Sequence, residues 1–334
     1  MSTTLQICAW RLCAKIFVLL ILAPTLVCAT TPRERFEAEY PAAAVRLEEF
    51  YSRMRISATQ STSFPSTGET WRNTIEYVLA GRSMKLMATR ANRIGPRAEG
   101  YVEALVAHPP LSFMLHRDPE NPRFAVDWLG TGHEVGYGEV EREIVQSLDL
   151  IRSPYCLGDH RLVDLMKTPQ FTISAIAEEP AGGGNLLRVE FQAEVDDVPE
   201  GPVPMEGVVT VDPARAWVIR SFREKAKAPS VAWGEGTVAY DGAVDGIPLL
   251  KSCTIRWGTK NEVGTERTLN VGECVPGAVP ESEFTLAAFG ITGPAGAGRI
   301  NSFTYWSIVI ATVALLVTVV LRVVRARLAR GTTP

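Results

Sequence analysis

The stretch LRVEFQAEV, residues 187–195, decides the fold class of this chain. Its apolar positions alternate strictly with charged or polar ones; they are Leu187, Val189, Phe191, Ala193 and Val195. Side chains two residues apart share one face of a β-strand, so this stretch predicts a strand with one buried and one solvated face. Burial on one face is typical of antiparallel sheets, whereas parallel strands are usually covered on both.

On both sides of this strand the sequence keeps a strand-like pattern, interrupted by Pro, Gly, Asn and Asp. The further strand candidates are residues 56–64, 70–79, 83–89, 100–107, 111–116, 123–129, 207–211, 217–223, 232–240, 248–257 and 265–272. We therefore expect a sheet of about 11 strands. The connections within each run are short and contain no crossover helix, which predicts antiparallel pairing.

Three segments have the spacing of amphipathic helices instead. They are residues 32–55, with a bend expected near Pro41, residues 138–152, and residues 159–167 with Asp159 as N-cap. No other segment can cover the apolar face of the sheet. The predicted fold class is α+β: an antiparallel β half-barrel with an N-terminal helix and two central helices, followed by one C-terminal transmembrane helix.

The order of these elements and three of the segments resemble a known superfamily. The segments are RVEFQAEV at 188–195, GVVTVDP at 207–213 and WVIRSF at 217–222, the last two forming a strand, an Asp-Pro tip and a returning strand. Together with one helix, a meander, two helices and a second meander, they resemble the LolA-like periplasmic lipoprotein carriers over residues 32–289. The resemblance implies an incomplete barrel whose helices act as a lid over an apolar cavity for acyl chains.

The chain departs from those carriers in two respects. The carriers are free or lipid-tethered, whereas this chain ends in an apolar segment long enough to span a membrane, which puts shuttling between membranes in doubt. No functional residue of the family, such as the polar group that latches the lid, can be matched to a position here. The resemblance therefore assigns no site residue.

Residues 1–29 have the pattern of an export signal. Arg11 and Lys15 precede the apolar run IFVLLIL, and small residues ending at Ala29 favour cleavage after it. Cys28 also allows a lipoprotein interpretation, but the residues before it are bulkier than a lipobox prefers. An uncleaved anchor is the other alternative, and it would also send the following chain outward.

Residues 300–321 contain no charge and, at about 1.5 Å per residue, are long enough to cross a bilayer as a helix. Phe303, Tyr305 and Trp306 cluster at the front of this segment and four arginines follow it, so the basic tail, residues 322–334, is expected to stay in the cytoplasm. The interpretation is a single-pass type I protein of the cell membrane, with an extracytoplasmic domain at 30–290 and a Gly/Pro linker at 291–299. A removable sorting signal and a buried core helix are the alternatives for the apolar segment.

The charge distribution argues against nucleic acid as a partner. The net charge of the chain is −3, but the two ends hold six of its 34 basic residues and none of its 37 acidic residues. The part between them therefore carries 28 basic and 37 acidic side chains, a balance of −9. A nucleic-acid binder needs a basic face.

The cysteines suggest one disulfide in an oxidising compartment. Cys253 and Cys274 lie symmetrically about Val263 and Gly264, so they would face each other in a regular hairpin that turns there. A register slip of one residue would separate them, and two buried thiols are the alternative. Cys156 is expected to be a small buried apolar residue.

No motif predicts catalysis, a metal or a cofactor. The four histidines, His108, His116, His133 and His160, form no HExxH pair and lie beside no close cysteine pair. A Gly-x-Ser-x-Gly elbow and a phosphate-binding loop are both missing from the sequence. A noncatalytic protein is therefore expected, with an envelope hydrolase as the third hypothesis because catalytic groups can converge from distant positions.

The apolar side chains give the leading functional hypothesis. The candidates for lining a ligand cavity are Met84, Leu86, Met87, Phe113, Leu115, Trp128, Trp217, Phe222 and Trp233. Flexible methionines and flat aromatic rings suit acyl chains of varied shape, although the same residues also fill ordinary cores. The predicted function is membrane-anchored, noncatalytic binding of a lipid, a lipoprotein acyl chain or another apolar ligand. The alternative is an envelope scaffold or sensor that binds another protein through its sheet.

Overall fold

The computed structural model describes residues 31–92, 98–130, 140, 144, 147–182, 184–195, 201–227, 232–259 and 262–291. The predicted signal (1–29), transmembrane segment (300–321) and basic tail (322–334) lie outside the described residues, as does the predicted linker except for Ile291. In the part of the chain that is described, no helix has both the length and the apolarity to cross a bilayer.

One antiparallel sheet of thirteen strands dominates the described residues. Its strands are β1 (Arg53–Phe64), β2 (Glu69–Ala80), β3 (Ser83–Arg90), β4 (Val102–Ala107), β5 (Ser112–Arg117), β6 (Ala125–Gly130), β9 (Thr172–Ala181), β10 (Gly184–Val195), β11 (Val203–Asp212), β12 (Val218–Ala226), β13 (Ala232–Val244), β14 (Ile247–Thr259) and β15 (Glu262–Pro276). The spatial order is β6-β5-β4-β3-β2-β1-β15-β14-β13-β12-β11-β10-β9. Among the described residues β6 and β9 have one neighbouring strand each, so the sheet is open, as a half-barrel requires.

Helix α1 (Pro32–Tyr51) lies across one face of this sheet, which we call the inner face. It begins with a capping box, in which Thr31 accepts a hydrogen bond from the Glu34 amide and the Glu34 carboxylate accepts one from the Thr31 amide. The buried side of the helix holds Phe36, Tyr40, Ala44, Leu47 and Tyr51 at the spacing of one helix face. Pro41 lies inside the helix.

The central segment, residues 147–171, covers the rest of the inner face. It contains the short helices α2 (Asp149–Arg152) and α3 (Leu162–Leu165) and, between them, a small hairpin of β7 (Cys156–Leu157) and β8 (His160–Arg161). Val140 and Ile144 are helical and buried, in agreement with the predicted helix at 138–152, whose other residues before 147 lie outside the described part. The central segment and α1 together form the second layer of the fold.

The sheet is buried on both faces over strands β2 to β5. The inner core joins α1 and the central segment to the inner face of the sheet. A second group, the outer cluster, lies on the opposite face and consists of Val78, Ala104, Val106, Phe113, Leu115, Phe284 and Leu286. The last two belong to residues 279–291, which we call the cover segment because they lie over the outer face after β15 has ended.

Several sequence predictions need correction at the level of elements. The predicted helix 32–55 ends at Tyr51, because the two-residue burial period of β1 already begins at Met54. The predicted helix 159–167 is restricted to α3, and its N-cap position is Arg161, since Asp159 lies in the turn of the β7–β8 hairpin. Strand β9 was not predicted. It is an edge strand, so most of its side chains are exposed and it lacks an apolar alternation.

The predicted disulfide between Cys253 and Cys274 is not formed; both are free thiols. The hairpin of β14 and β15 reverses between Thr259 and Glu262, earlier than the symmetric turn that the sequence suggests. Cys253 therefore pairs with Leu269, while Cys274 pairs with Ile56 on β1. This register places the two cysteines about 17 Å apart along the hairpin. Cys156 and Cys253 are buried, and burial raises the pKa of each thiol to about 12.

Candidate ligand-binding site

An apolar cavity of about 270 Å³ lies between the end of α1, the central segment and the inner face of β2 and β3. Its lining residues are Glu48, Tyr51, Ser52, Leu79, Gly81, Met84, Leu148, Ile151, Arg152 and Tyr155. The cavity reaches the exposed turn at Gly81, whose φ of +64° favours glycine. Carbon atoms dominate its wall, so the cavity suits an apolar chain.

Each wall of the cavity is positioned by a different element. Tyr51, at the end of α1, donates a hydrogen bond of 2.7 Å to the Pro248 carbonyl, which fixes its ring. Leu79 and Met84 lie on either side of the β2–β3 turn and pair with each other across the hairpin. Ile151 belongs to α2, and this part of the central segment, which we call the roof, closes the cavity on the side opposite the sheet.

The roof is attached to the sheet by buried polar contacts. Asp149 forms an ion pair of 2.7 Å with Arg267 on β15. The Tyr77 hydroxyl on β2 donates to the Ser147 carbonyl at 2.8 Å, and the Ser153 hydroxyl lies 3.0 Å from the Cys253 thiol on β14. Each contact joins the central segment to a different strand, so opening the roof would require several buried groups to lose their partners.

Burial of Asp149 opposes its ionised form and raises the pKa of its carboxyl to about 6, although Arg267 acts in the opposite direction. At neutral pH the roof is therefore held by a buried pair that remains ionised. As the pH falls below about 6, Asp149 takes up a proton and its ion pair with Arg267 is lost.

Charged side chains occupy one side of the cavity. The Glu48 carboxylate forms an ion pair with Arg161, which also contacts Asp164 at 3.1 Å. Arg152 lines the cavity as well, and no carboxylate of the described residues lies within ion-pair distance of it. It interacts with the Tyr155 hydroxyl and the Cys156 thiol, and the charge of Glu48 also acts on it. Burial raises the pKa of both groups, so both are neutral at physiological pH.

The structure distributes the nine predicted cavity residues over several places. Met84 lines the cavity. Leu86, Trp217 and Phe222 belong to the inner core, and Trp128 packs against that core. Phe113 and Leu115 belong to the outer cluster, and Met87 packs against it. Trp233 lies beside Gly258 of the neighbouring strand, where an added Cβ would come within 2.7 Å of its ring.

Most of these residues therefore fill cores and do not line a hollow. Leu86 and Met87 show why, because consecutive strand residues point to opposite faces and both faces of β3 are covered. The other residues that line the cavity were not predicted from the sequence. Tyr51, Leu148 and Ile151 stood at helical spacings that indicated burial, but nothing local indicated that they would meet around a space.

A larger groove of about 590 Å³ lies on the outer face of β10 to β14, and polar and apolar atoms line it about equally. Arg188, Arg223 and Arg256 line it, together with Glu179, Glu235, three threonines and one serine. Val208 and Phe222, the latter one of the nine predicted cavity residues, also line it. The arginines pair with glutamates at 2.7, 3.0 and 2.6 Å on the exposed side of the sheet. Ion pairs cross this groove, whereas carbon atoms dominate the wall of the smaller cavity, so the smaller cavity is the better candidate for an apolar ligand.

One serine–histidine pair occurs among the described residues. The Ser83 hydroxyl lies 2.7 Å from His108 Nδ1, and the His108 ring stacks on Phe284 at 5.7 Å. Burial lowers the pKa of His108. A serine nucleophile also needs its histidine to be oriented by an acid. The charge of Glu281 acts on His108, but no hydrogen bond joins the two side chains in the part of the chain that is described. The pair is explained by the packing of the β4–β5 turn under the cover segment.

No protein-family model matches the chain, and no curated protein matches it. Among solved structures, it is similar to an outer membrane lipoprotein-sorting protein domain from Vibrio parahaemolyticus, with 10% sequence identity and a TM-score of 0.42 over 75% of this chain and 98% of that chain. A DUF1329 family protein from Desulfovibrio piger has 13% identity and a TM-score of 0.41, covering 75% and 97%. A LolA superfamily protein from Nitrosomonas europaea has 10% identity and a TM-score of 0.36, covering 73% and 96%.

Proposed function

We propose that this protein is a noncatalytic, extracytoplasmic binding protein that holds the apolar part of a lipid or lipoprotein in the cavity under its central segment. The observation that supports the proposal is the apolar cavity of about 270 Å³ between Tyr51, Met84 and Ile151. A packed fold has little reason to keep such a space, since an unfilled apolar cavity costs stability. A ligand that occupies it would recover the lost contacts.

Filling the cavity tests this proposal. Met84→Trp places a larger side chain in the space, and Thr237→Trp, in the exposed outer groove, is the matched control. The probe is N-phenylnaphthylamine, a neutral apolar fluorophore, added to the full-length protein in amphipol. We expect enhanced fluorescence with the wild-type protein and Thr237→Trp, and loss of most of it with Met84→Trp. Equal fluorescence of all three, with unchanged circular dichroism, would contradict binding in this cavity.

We also propose that residues 300–321 anchor the protein in the cell membrane, with the described domain outside and the arginine tail inside. The uncharged length of this segment and the arginines after it support the proposal. Fractionation of cells that express the full chain or a version ending at residue 291 tests it. We expect the full chain with the membranes and the shorter one in the soluble extracytoplasmic fraction. Recovery of the full chain in that soluble fraction would argue for removal of the segment.

The outer groove favours a second candidate function, binding of a protein partner through the sheet surface. Its ordered ion pairs, such as Arg223–Glu235 and Arg256–Glu266, present fixed polar groups on an accessible face. Crosslinking from a photoreactive residue placed at Thr237 tests it. A single recurrent crosslinked protein would support this function, and its absence together with probe binding at the cavity would favour the first.

A further inference from the structure

We infer that the cavity selects amphiphiles with one apolar chain and an anionic headgroup, and that Arg152 is the residue that binds the headgroup. The inference rests on the proposed function, because it specifies the ligand of the same cavity. Two properties of the cavity support it: its volume and the charge of Arg152 beside it.

The volume limits the ligand to one chain. Sites for drug-sized ligands span about 300–1,000 Å³, and a cavity of about 150 Å³ accepts a single benzene ring. At about 270 Å³, this cavity lies just below the range of ordinary ligand sites. It offers room for part of one acyl chain, whereas the two or three chains of a lipoprotein anchor would have to displace the central segment. The cavity therefore fits a single-chain amphiphile.

The charge at the wall determines the headgroup. Arg152 is half-buried and lines the cavity, and it interacts with the neutral Tyr155 hydroxyl and Cys156 thiol and with the charge of Glu48. Glu48, the other charged lining residue, forms its ion pair with Arg161 and acts on Arg152 only through its charge, without an ion pair. Arg152 has no carboxylate of the described residues within ion-pair distance, and its planar donors can bind two oxygens of a carboxylate or phosphate at once.

The apolar wall and Arg152 meet at α2. Ile151 is buried and belongs to the wall, and the next residue of the same helix is Arg152. A chain lying against Leu79, Met84 and Ile151 would thus have its polar end beside the guanidinium. A fatty acid and a lysophospholipid share this chemistry, and the choice between them depends on whether the site prefers a carboxylate or a phosphate.

The test compares probes that share one chain and differ in charge. Full-length protein in amphipol is titrated with a dansyl-labelled fatty acid, its methyl ester and a dansyl-labelled lysophosphatidylglycerol. The variants are Arg152→Gln, which removes the charge, and Arg152→Lys, which keeps it. Arg46→Gln is the matched control, since Arg46 is exposed on α1 and does not line the cavity.

We expect Arg152→Gln to weaken binding of the anionic probes by about tenfold or more while leaving the ester within about twofold. Arg152→Lys should recover part of the loss, and Arg46→Gln should have no effect. Glu48→Gln should strengthen binding of the anionic probes, because it removes a nearby negative charge. A preference for the fatty acid or for the lysophospholipid in the wild-type protein would identify the headgroup.

The possible failures are distinguishable. If the acid and the ester bind the wild-type protein equally well, and Arg152→Gln changes neither, the headgroup inference is overturned while the apolar site stands. If no probe binds and Met84→Trp also has no effect, the proposed function itself fails. A greater affinity for a diacyl probe than for the single-chain probes would refute the limit to one chain.

Discussion

Asp149 and Arg267 form the most deeply buried ion pair among the described residues, with the Asp149 side chain 4% exposed and the Arg267 side chain 18% exposed. Removing one partner of such a pair leaves the other charge without compensation. Arg267→Met is therefore expected to lower the free energy of unfolding by about 3–5 kcal/mol at pH values where Asp149 is ionised. Urea unfolding at about pH 8 and about pH 5 measures the effect, and the loss should shrink at the lower pH because Asp149 is then protonated.

The double variant Asp149→Asn/Arg267→Met serves as the control for that prediction. Because it removes both charges, we expect it to recover much of the stability at the higher pH. An equal loss at both pH values, or no recovery in the double variant, would show that the ion pair does not hold the roof.

Glu224 has a buried Oε2 atom without a hydrogen-bond partner, on the part of the inner face under the β7–β8 hairpin. Around its carboxylate lie Gly158 in that hairpin, Gly234 on β13 and the Trp257 indole on β14. Burial raises the pKa of Glu224 from its ordinary 4.5 to about 8, and the charge of the nearby Asp159 acts in the same direction.

The folded protein consequently keeps a proton on Glu224 that the unfolded chain releases. The free energy of unfolding should therefore decrease as the pH rises from about 5 to about 8. Glu224→Gln removes this titration and should flatten the dependence over that interval. Denaturation curves for both proteins at several pH values give the comparison, and parallel pH profiles would contradict the assignment.

The cover segment buries the apolar side chains on the outer face of β2 to β5. Glu283 anchors it through ion pairs with Lys85 at 2.9 Å and Arg55 at 2.8 Å. Phe284 is 1% exposed in the outer cluster, and Phe289 packs against Phe113 with ring centroids 5.7 Å apart. Burial of apolar rings, aided by one charged anchor, attaches these residues to the sheet.

Phe284→Ala is expected to lower the free energy of unfolding by about 3–5 kcal/mol, since it leaves a cavity in the outer cluster. Thermal or urea unfolding measures the loss. Val275→Ala, which shortens a side chain that is 47% exposed just before the cover segment, is the control and should change stability by less than about 0.5 kcal/mol. Similar stabilities for the two variants would mean that the cover segment is not part of the folded core.

Local periodicity was enough to predict α1, most strands and their antiparallel arrangement. It failed at β9, where an edge position removes the apolar alternation, and at α3, where Gly158 and Asp159 turn a hairpin before the helix begins. The cavity could not be predicted, because residues that line a space and residues that fill a core have the same chemistry. Leu86 and Met87 illustrate this: both were apolar candidates, and each packs into a different core.

The molecule as a whole is held together without a disulfide among its described cysteines, Cys156, Cys253 and Cys274. A reductant should therefore leave the midpoint of urea unfolding unchanged. Alkylation of the protein, exported and isolated without reductant, should modify Cys156 and Cys253 only after unfolding, since both are buried. A midpoint that falls on reduction, or a mass showing two hydrogens fewer, would contradict the free thiols.

The path of the cover segment has a mechanical consequence for the whole molecule. Ile291 is packed at the outer cluster, and the proposed anchor begins at residue 300. At about 3.3–3.6 Å per residue, the chain between Ile291 and residue 300 spans no more than about 32 Å. If the proposed anchor holds the domain at the bilayer, a ligand bound in the proposed cavity would have to enter and leave within about this distance, plus the size of the domain, of the lipid headgroups.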